Sequence, residues 1–444
     1  MLNSRWLTRH LPVLLGLMAL LFIASACGDS DGSEPEPTGE PIVRGPQTPI
    51  VIPAGEPIVI GVSTALTGGP VGKRGAEYRD AAIVSLERWK EANGAQIAGH
   101  DIDLRAEDDG CSEADVTLVA AERLLRVSGL VGVIGPQCSG GSVAVIPTYT
   151  AAGVVMISGS ATATGLTDDQ PEGDFFFRTA YRNDLEGTLI GLFLVDYENA
   201  YLIDDGETYG IDLGDSAEAV AAEGGVTVTR ESITQGTVDF SELAERIVEA
   251  NADVVGFGGF NPEAALLYRQ LRDAGFEGVF GAGDGAASQI GFVEPVGEAA
   301  NGVLFAGCTY PLPQDFLADF VEVHGDEPTA AFPAQYADAT TILLNAVAQV
   351  AVEQADGSLE IDPIELRDAV RASVLEDGLS GAIAFNEDGD RIPPGVASLS
   401  DFVATALANE DTSGYVDLGL VPCQVQNGQL VNLFGPDAGE TQLP

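Results

Sequence analysis

Beyond residue 56 the chain alternates short apolar runs with amphipathic stretches. "PIVIGVST" reads as a buried strand, 76–92 as a helix and "IDLRAED" as a second strand. Ser112 with Asp115 has the spacing of a capping box that opens a helix running to Ser128. "LVGVIGP" and "GVVMISGS" follow as strands around another helix, and then "NAYLIDD", a helix after Tyr209, "GVTVTRE", a helix from Phe240, "ADVVGFGGF", a helix from Pro262 and "GVFGAG". Strand, helix, strand in this rhythm predicts parallel sheets with helices on both faces. The strands are too many for one open sheet, so two doubly wound α/β lobes are expected. No short fixed period repeats, which argues against a solenoid. Ligands bind beyond the carboxyl ends of strands in such sheets. Here those ends carry "STALTGGPVGKRG", "GPQCSGG", "SGSATAT", "DDGETYG", "GGFNPE" and "GAGDGA", which should line one cleft.

Charge narrows the partners. The 444 residues carry a formal charge of −48, and Lys73 and Lys90 are the only lysines. Such a chain repels nucleic acid and anionic lipid, and suits either a saline setting or simple high solubility. At the N-terminus Arg5, Arg9 and His10 precede the apolar run Leu11 to Ile23 and then "ASAC". That is the layout of a signal peptide over 1–26, with Cys27 placed as in the lipobox of bacterial lipoproteins. The expected product is an extracytoplasmic, lipid-anchored protein. Residues 27–56, rich in Pro, Gly and acidic side chains, read as a disordered tether.

Nucleophilic catalysis finds little support. After the signal segment only His100 and His324 remain, neither at a strand's carboxyl end. No GxSxG elbow follows a strand, no CxxC occurs, and no histidine-based metal site is indicated. "GPVGKRG" fails the phosphate-loop spacing. "GAGDGA", Gly281 to Ala286, does satisfy a dinucleotide fingerprint after a strand, which keeps an exported NAD-dependent enzyme as a remote alternative.

Apart from Cys27, the cysteines are Cys111, Cys138, Cys308 and Cys423. An even number in an exported chain favours disulfides. Cys111 and Cys138 end successive strands on the same sheet edge, with one helix between, so they can bridge. Ser139 then opens the next helix, where free N–H groups and the helix dipole favour an anion. Whether Cys308 pairs with Cys423, in the hairpin around Asn427-Gly428, is left open by the sequence.

The stretch from "EDDGCSEADVTLVAAERLL" through "VGVIGPQCSGGSVAVIPTYTAAGVVMISGSATATGLT", together with "DDGETYG", "VDFSELAERI", "GGFNPEAALLYRQLRDAG", "GAGDG", "GEAANGVLFAG" and "GAIAFNEDGDR", resembles the leucine/isoleucine/valine-binding proteins of bacterial ABC importers. The resemblance implies a type I periplasmic binding protein: two lobes, three crossing segments and a ligand cleft between them. Lobe 1 is expected over 57–180 and 305–380, lobe 2 over 181–304 and 381–434, with a tail over 435–444. By the same resemblance Ser139 takes a ligand carboxylate, the Ser160 carbonyl takes an ammonium, and Thr162, beside Ala161, touches both. Tyr209 and Phe260 line the cleft from lobe 2, and Asp284 supplies a carboxylate for the ammonium. Arg74 and Gln137 fall at the side-chain end, which makes the pocket more polar than an aliphatic ligand wants. The implied function is capture of an amino acid or amide by a monomeric, cofactor-free receptor and its delivery to an ABC permease. A ligand sensor on the same fold is the alternative.

Overall fold

The computed structural model describes residues 45–168, 175–396 and 413–433. The expected signal segment, Cys27, most of the tether and the C-terminal tail lie outside them. Among the described residues the chain builds two large sheets. The first has the order Gln96–Ile97, His100–Asp108, Ile58–Thr64, Leu130–Ile134, Val155–Ser158, Phe176–Arg178, parallel apart from its short first strand. Every residue of Ile58–Thr64 is buried, as a strand covered on both faces requires. One face holds Ile60, Val62 and Ile157 against Tyr78, Leu86 and Leu343 from the helices Pro70–Asn93 and Pro333–Val350. The other packs Leu130, Val133 and Met156 against Leu124, Val145 and Ile146 from Ala114–Leu124 and Ser139–Ala151. Each such buried aliphatic chain stabilises the fold by about 1.5–3 kcal/mol.

The second sheet runs Gln429–Asn432, Cys423–Gln426, Leu304–Phe305, Val279–Ala282, Val254–Gly258, Ala200–Asp204, Val228–Ser232. Helices Asn183–Val195 and Thr208–Glu223 cover one face, through Ile190, Leu194, Leu213 and Ala217. Helices Ser241–Glu249 and Asn261–Asp273 cover the other, through Leu243, Ile247, Leu267 and Leu271. The protein is therefore two parallel-sheet lobes with a cleft between them. The chain crosses after Arg178, after Phe305 and again before Cys423. Ile383, Phe385, Tyr415, Leu418 and Leu420 still pack in the first core, ahead of the strand that joins the second sheet.

Three local expectations change. The first helix begins at Pro70, six residues before the expected 76, with proline in its first turn. Proline belongs there because the first helical N–H has no partner to lose. The expected capping box does not form: the helix starts at Ala114 after Glu113, without a side-chain cap, and ends at Leu124. The tether is also shorter than 27–56. Ile50–Ile52 pairs antiparallel with Leu359–Ile361 and buries Ile50 and Ile52 in the first core while Val51 faces outward, because successive side chains of a strand point to opposite faces.

Both disulfides are formed, Cys111–Cys138 with Cα atoms 4.9 Å apart and Cys308–Cys423 with 6.0 Å. The second is brought about by the hairpin, whose Asn427 and Gly428 both have positive φ, 52° and 76°, as the tight turn demands. The 27-residue separation of the first bridge implies a stabilisation of about 3–4 kcal/mol on the chain-entropy account. Cys111→Ser with Cys138→Ser is expected to lower the unfolding free energy by that amount in urea titration; an unchanged midpoint would contradict it.

Candidate functional site

The loops after the parallel strands meet between the lobes. On the first-lobe side Asp109 organises them. Its Oδ2 accepts from Gln137 N at 2.9 Å, its Oδ1 from Cys111 N at 2.9 Å, and Ser63 Oγ donates to it at 3.3 Å. Burial pushes this carboxyl up to about 6, against those hydrogen bonds. With the Cys111–Cys138 bridge, Asp109 fixes the start of helix Ser139–Ala151, whose first N–H groups have no intrahelical partner and no side-chain cap. Ser139 is buried, its Oγ accepting from Ala163 N at 3.2 Å. That bond ties the helix start to the loop holding Ala161 and Thr162. Thr162 Oγ1 is buried without a partner. A buried hydroxyl in this state is short of an acceptor or donor that an occupant of the cleft can supply.

The remaining first-lobe residues are placed as follows. Ser160 Oγ donates to the Gln137 carbonyl at 2.6 Å and lies 3.0 Å from Tyr336 Oη. Gln137 Oε1 accepts from Ala65 N at 2.9 Å, so its amide oxygen is engaged within its own lobe. Ala161 is fully buried; its N–H goes to Ser158 Oγ and its carbonyl accepts from Arg178. Tyr336 stacks on Tyr78 with ring centroids 4.6 Å apart, and Tyr181 leans on Phe332 at 5.4 Å, forming an aromatic wall.

The second lobe contributes Tyr209, Phe260 and Asp284. Tyr209 and Phe260 have centroids 5.4 Å apart. Asp284 is buried, and Tyr181 Oη donates to its Oδ2 at 2.7 Å. Burial pushes the Asp284 carboxyl up to about 6; the Tyr181 hydroxyl and the Arg74 charge pull the other way. Close approach is built in by glycine. A Cβ on Gly283 would sit 2.3 Å from Tyr209 Oη, and one on Gly307 2.0 Å from Tyr181 Oη.

Arg74 reaches across. Nη1 donates to the Gly285 carbonyl at 3.0 Å and lies 3.5 Å from that of Asp284, while the guanidinium sits 5.7 Å from the Phe260 ring centroid. Arg74 is 5% exposed and its Nε has no partner, which excludes a solvated rim position. Thr164 makes a second link, its N–H and hydroxyl donating to Asp212 at 3.0 and 2.5 Å. Side chains of the two lobes thus bond directly, and the cleft is closed.

The structure brings Arg74, Tyr209, Phe260 and Asp284 together with Glu186 and Tyr181, and sets Gln137, Ser139, Ser160, Ala161 and Thr162 on neighbouring first-lobe loops beside Tyr336. The "GAGDGA" loop lacks the setting a dinucleotide needs. Asp284–Ala286 is a three-residue 3-10 turn, not a helix start facing a pyrophosphate, and Tyr209 and Glu186 fill the space beside Gly283. Among the described residues no group of three His, Cys, Asp or Glu side chains could hold a metal ion, and no helix is long and apolar enough to cross a membrane.

Comparison with known proteins agrees with the fold. The Leu/Ile/Val-binding protein BraC3 of Rhizobium johnstonii is 30% identical over 341 residues, covering 74% of this chain and 88% of that one. A leucine-, isoleucine-, valine-, threonine- and alanine-binding protein of Pseudomonas aeruginosa is 27% identical over 348 residues, covering 74% and 87%. The solved leucine-binding protein LivK of Thermotoga maritima superposes with a TM-score of 0.68 at 24% identity, over 84% of this chain and 97% of that one. Both relatives are named as binding proteins. The periplasmic binding protein family matches residues 57–396, and the chain belongs to it, in the branch of the leucine/isoleucine/valine-binding proteins.

Proposed function

We propose that this protein is an extracytoplasmic receptor that closes its lobes around one amino acid or amide and hands it to an ABC importer. The observation that carries the reading is the pairing of opposite ends in one buried cleft. Ser139, the partnerless Thr162 hydroxyl and a helix N-terminus suit a carboxylate, and Asp284 suits an ammonium. Relatives named for leucine, isoleucine and valine binding support the ligand class. Structures of the same fold hold isoleucine in one case and 4-hydroxybenzoate in another, so the fold alone does not choose the ligand. The buried guanidinium of Arg74 favours a ligand with a hydrogen-bond acceptor on its side chain over a purely aliphatic one, because a buried charge needs polar partners. Hinge closure about the three crossings presents the loaded form to the permease. A lipid anchor on Cys27 would keep the receptor at the membrane.

A thermal-shift screen of the twenty amino acids and small amides tests this. A ligand at ~100 times its Kd should stabilise the protein by about 2.7 kcal/mol. Arg74→Ala is expected to reorder the preferences toward apolar side chains while binding persists. If no amino acid or amide shifts the melting point, the proposal falls.

A further inference from the structure

Glu186 lies on the first turns of helix Asn183–Val195, where an acidic residue ordinarily faces solvent and complements the helix dipole. Here it is fully buried. Its Oε1 accepts from Asp284 N at 2.6 Å, and Tyr209 Oη lies 3.5 Å from Oε2. That bond sets the Asp284 residue directly against it, and the Asp284 charge acts on it. The charged and titratable groups around the pair are Tyr181 from the first crossing, Tyr209 from helix Thr208–Glu223, and Arg74 and Tyr78 from helix Pro70–Asn93. Arg74 bonds the backbone carbonyls of the Asp284 turn, and its Nε is left open there. Arg182, at the start of Glu186's own helix, is turned onto Asp168, Asp184 and Asp390. One cation therefore stands near two buried carboxyl groups. Two such groups in contact cannot both ionise cheaply, so the empty cleft retains a proton between them. Burial, and then the Asp284 charge, push Glu186 well above the usual carboxyl range.

We propose that Glu186 and Asp284 form a single proton-sharing pair that takes the ligand's ammonium in exchange for that proton, making Glu186 a specificity-determining residue for amines that carry N–H donors. The proton passes to solvent, the ammonium keeps its own, and its N–H groups replace the O–H···O bond of the pair. A neutral hydroxyl in the same place brings no charge to offset the second carboxylate, and a quaternary ammonium brings no donor. This rests on the ammonium end of the proposed cleft, but the shared proton can be read without any ligand.

Two measurements on the whole protein decide it. Infrared spectra of the empty protein at neutral pH should show the carbonyl band of a buried, protonated carboxylic acid, and the difference spectrum against Glu186→Gln should contain one such component beyond what Asp205 contributes. Calorimetry at pH 7.5 in buffers of different ionisation heat, with L-leucine, L-glutamine and L-glutamate as probes, should show proton release with the amino acid that binds. Its affinity should rise by up to about tenfold per pH unit. Glu186→Gln should bind about tenfold more weakly at that pH, with no proton release and a flat pH profile. Absence of that component from the difference spectrum, binding without proton release, or unchanged release in Glu186→Gln would overturn the exchange. If no probe binds, the amino-acid reading and the exchange fail together, while the band still decides whether the pair shares a proton.

Discussion

Asp284→Ala is expected to weaken binding of the preferred amino acid far more than tenfold. A zwitterion enclosed between the lobes leaves water with both charges, and each needs a partner. The Asp284 carboxylate, with the Glu186 carboxyl beside it, is held at the second-lobe end, fixed by Tyr181 at 2.7 Å and by the backbone bond to Glu186 at 2.6 Å. Removing one partner of a buried, charge-assisted contact costs about 2–5 kcal/mol. Asp284→Asn keeps the shape but not the charge and should fall in the same range. The empty fold should not suffer, because burial holds this carboxyl at about 6, above its ordinary value. A group with a raised folded value weakens the empty protein as the pH rises through it. Wild-type affinity should in turn keep dropping as the pH falls further and the Glu186–Asp284 pair takes up its second proton. Calorimetric Kd values for wild type and both variants check this; an unchanged Kd in Asp284→Ala would mean that the ammonium lies elsewhere.

Asp390→Ala is expected to cause the largest loss of stability. Asp390 lies in the segment leading to the third crossing, yet it meets the first: Oδ1 accepts from Arg178 Nε at 2.6 Å and Oδ2 from Arg182 Nη1 at 2.8 Å. The side chains of Arg178 and Asp390 are 0% and 2% exposed. Burial alone would raise the Asp390 carboxyl, but the two guanidiniums outweigh it and hold it below the usual range. Its contribution is therefore present at neutral pH and lost only in acid, as the pH falls through the lowered folded value. Deleting the carboxylate strands a buried guanidinium, which typically costs about 3–5 kcal/mol. Arg178 also donates to the carbonyls of Ala161 and Ala163, at 3.3 and 2.8 Å. The loss should thus reach the loop that carries Thr162 and weaken ligand binding as well. Urea unfolding measures the first effect, and a double replacement, Arg178→Met with Asp390→Leu, should recover much of it. A loss under ~1 kcal/mol in Asp390→Ala would show that the pair is of the weak, solvent-screened kind.

The legible parts of this molecule are those written locally. Alternating apolar runs give the parallel strands, and two cysteines at neighbouring strand ends give a bridge and a helix start at Ser139. The tight turn at Asn427-Gly428 is equally local. What escapes the sequence is made by contacts between distant segments. Glu186 is ordinary for a first helical turn and becomes unusual only when Asp284, 98 positions away, is laid against it. Tyr181, Tyr78 and Tyr336 carry no local sequence signal, and their place beside Asp284 and Ser160 comes from packing between distant segments. Asp390 meets Arg178 across 212 positions. The start at Pro70 is hidden by a glycine-rich stretch whose Gly72 and Gly75 are there for close approach. A Cβ on either would fall 2.3 Å from the Thr67 carbonyl oxygen or 1.7 Å from that of Ala65.

The central claim is that the closed cleft holds one amino acid or close amide. Its most direct test is calorimetric titration of the ligand-stripped protein with the compound that gives the greatest thermal shift, repeated with the same compound lacking its amino group and with it lacking its carboxylate. The account predicts saturation at one ligand per chain, and more than tenfold weaker binding for each truncated compound, because each leaves one buried polar end without a partner. Equal affinity for the intact and truncated compounds would contradict it, as would saturation by NAD with no response to any amino acid or amide.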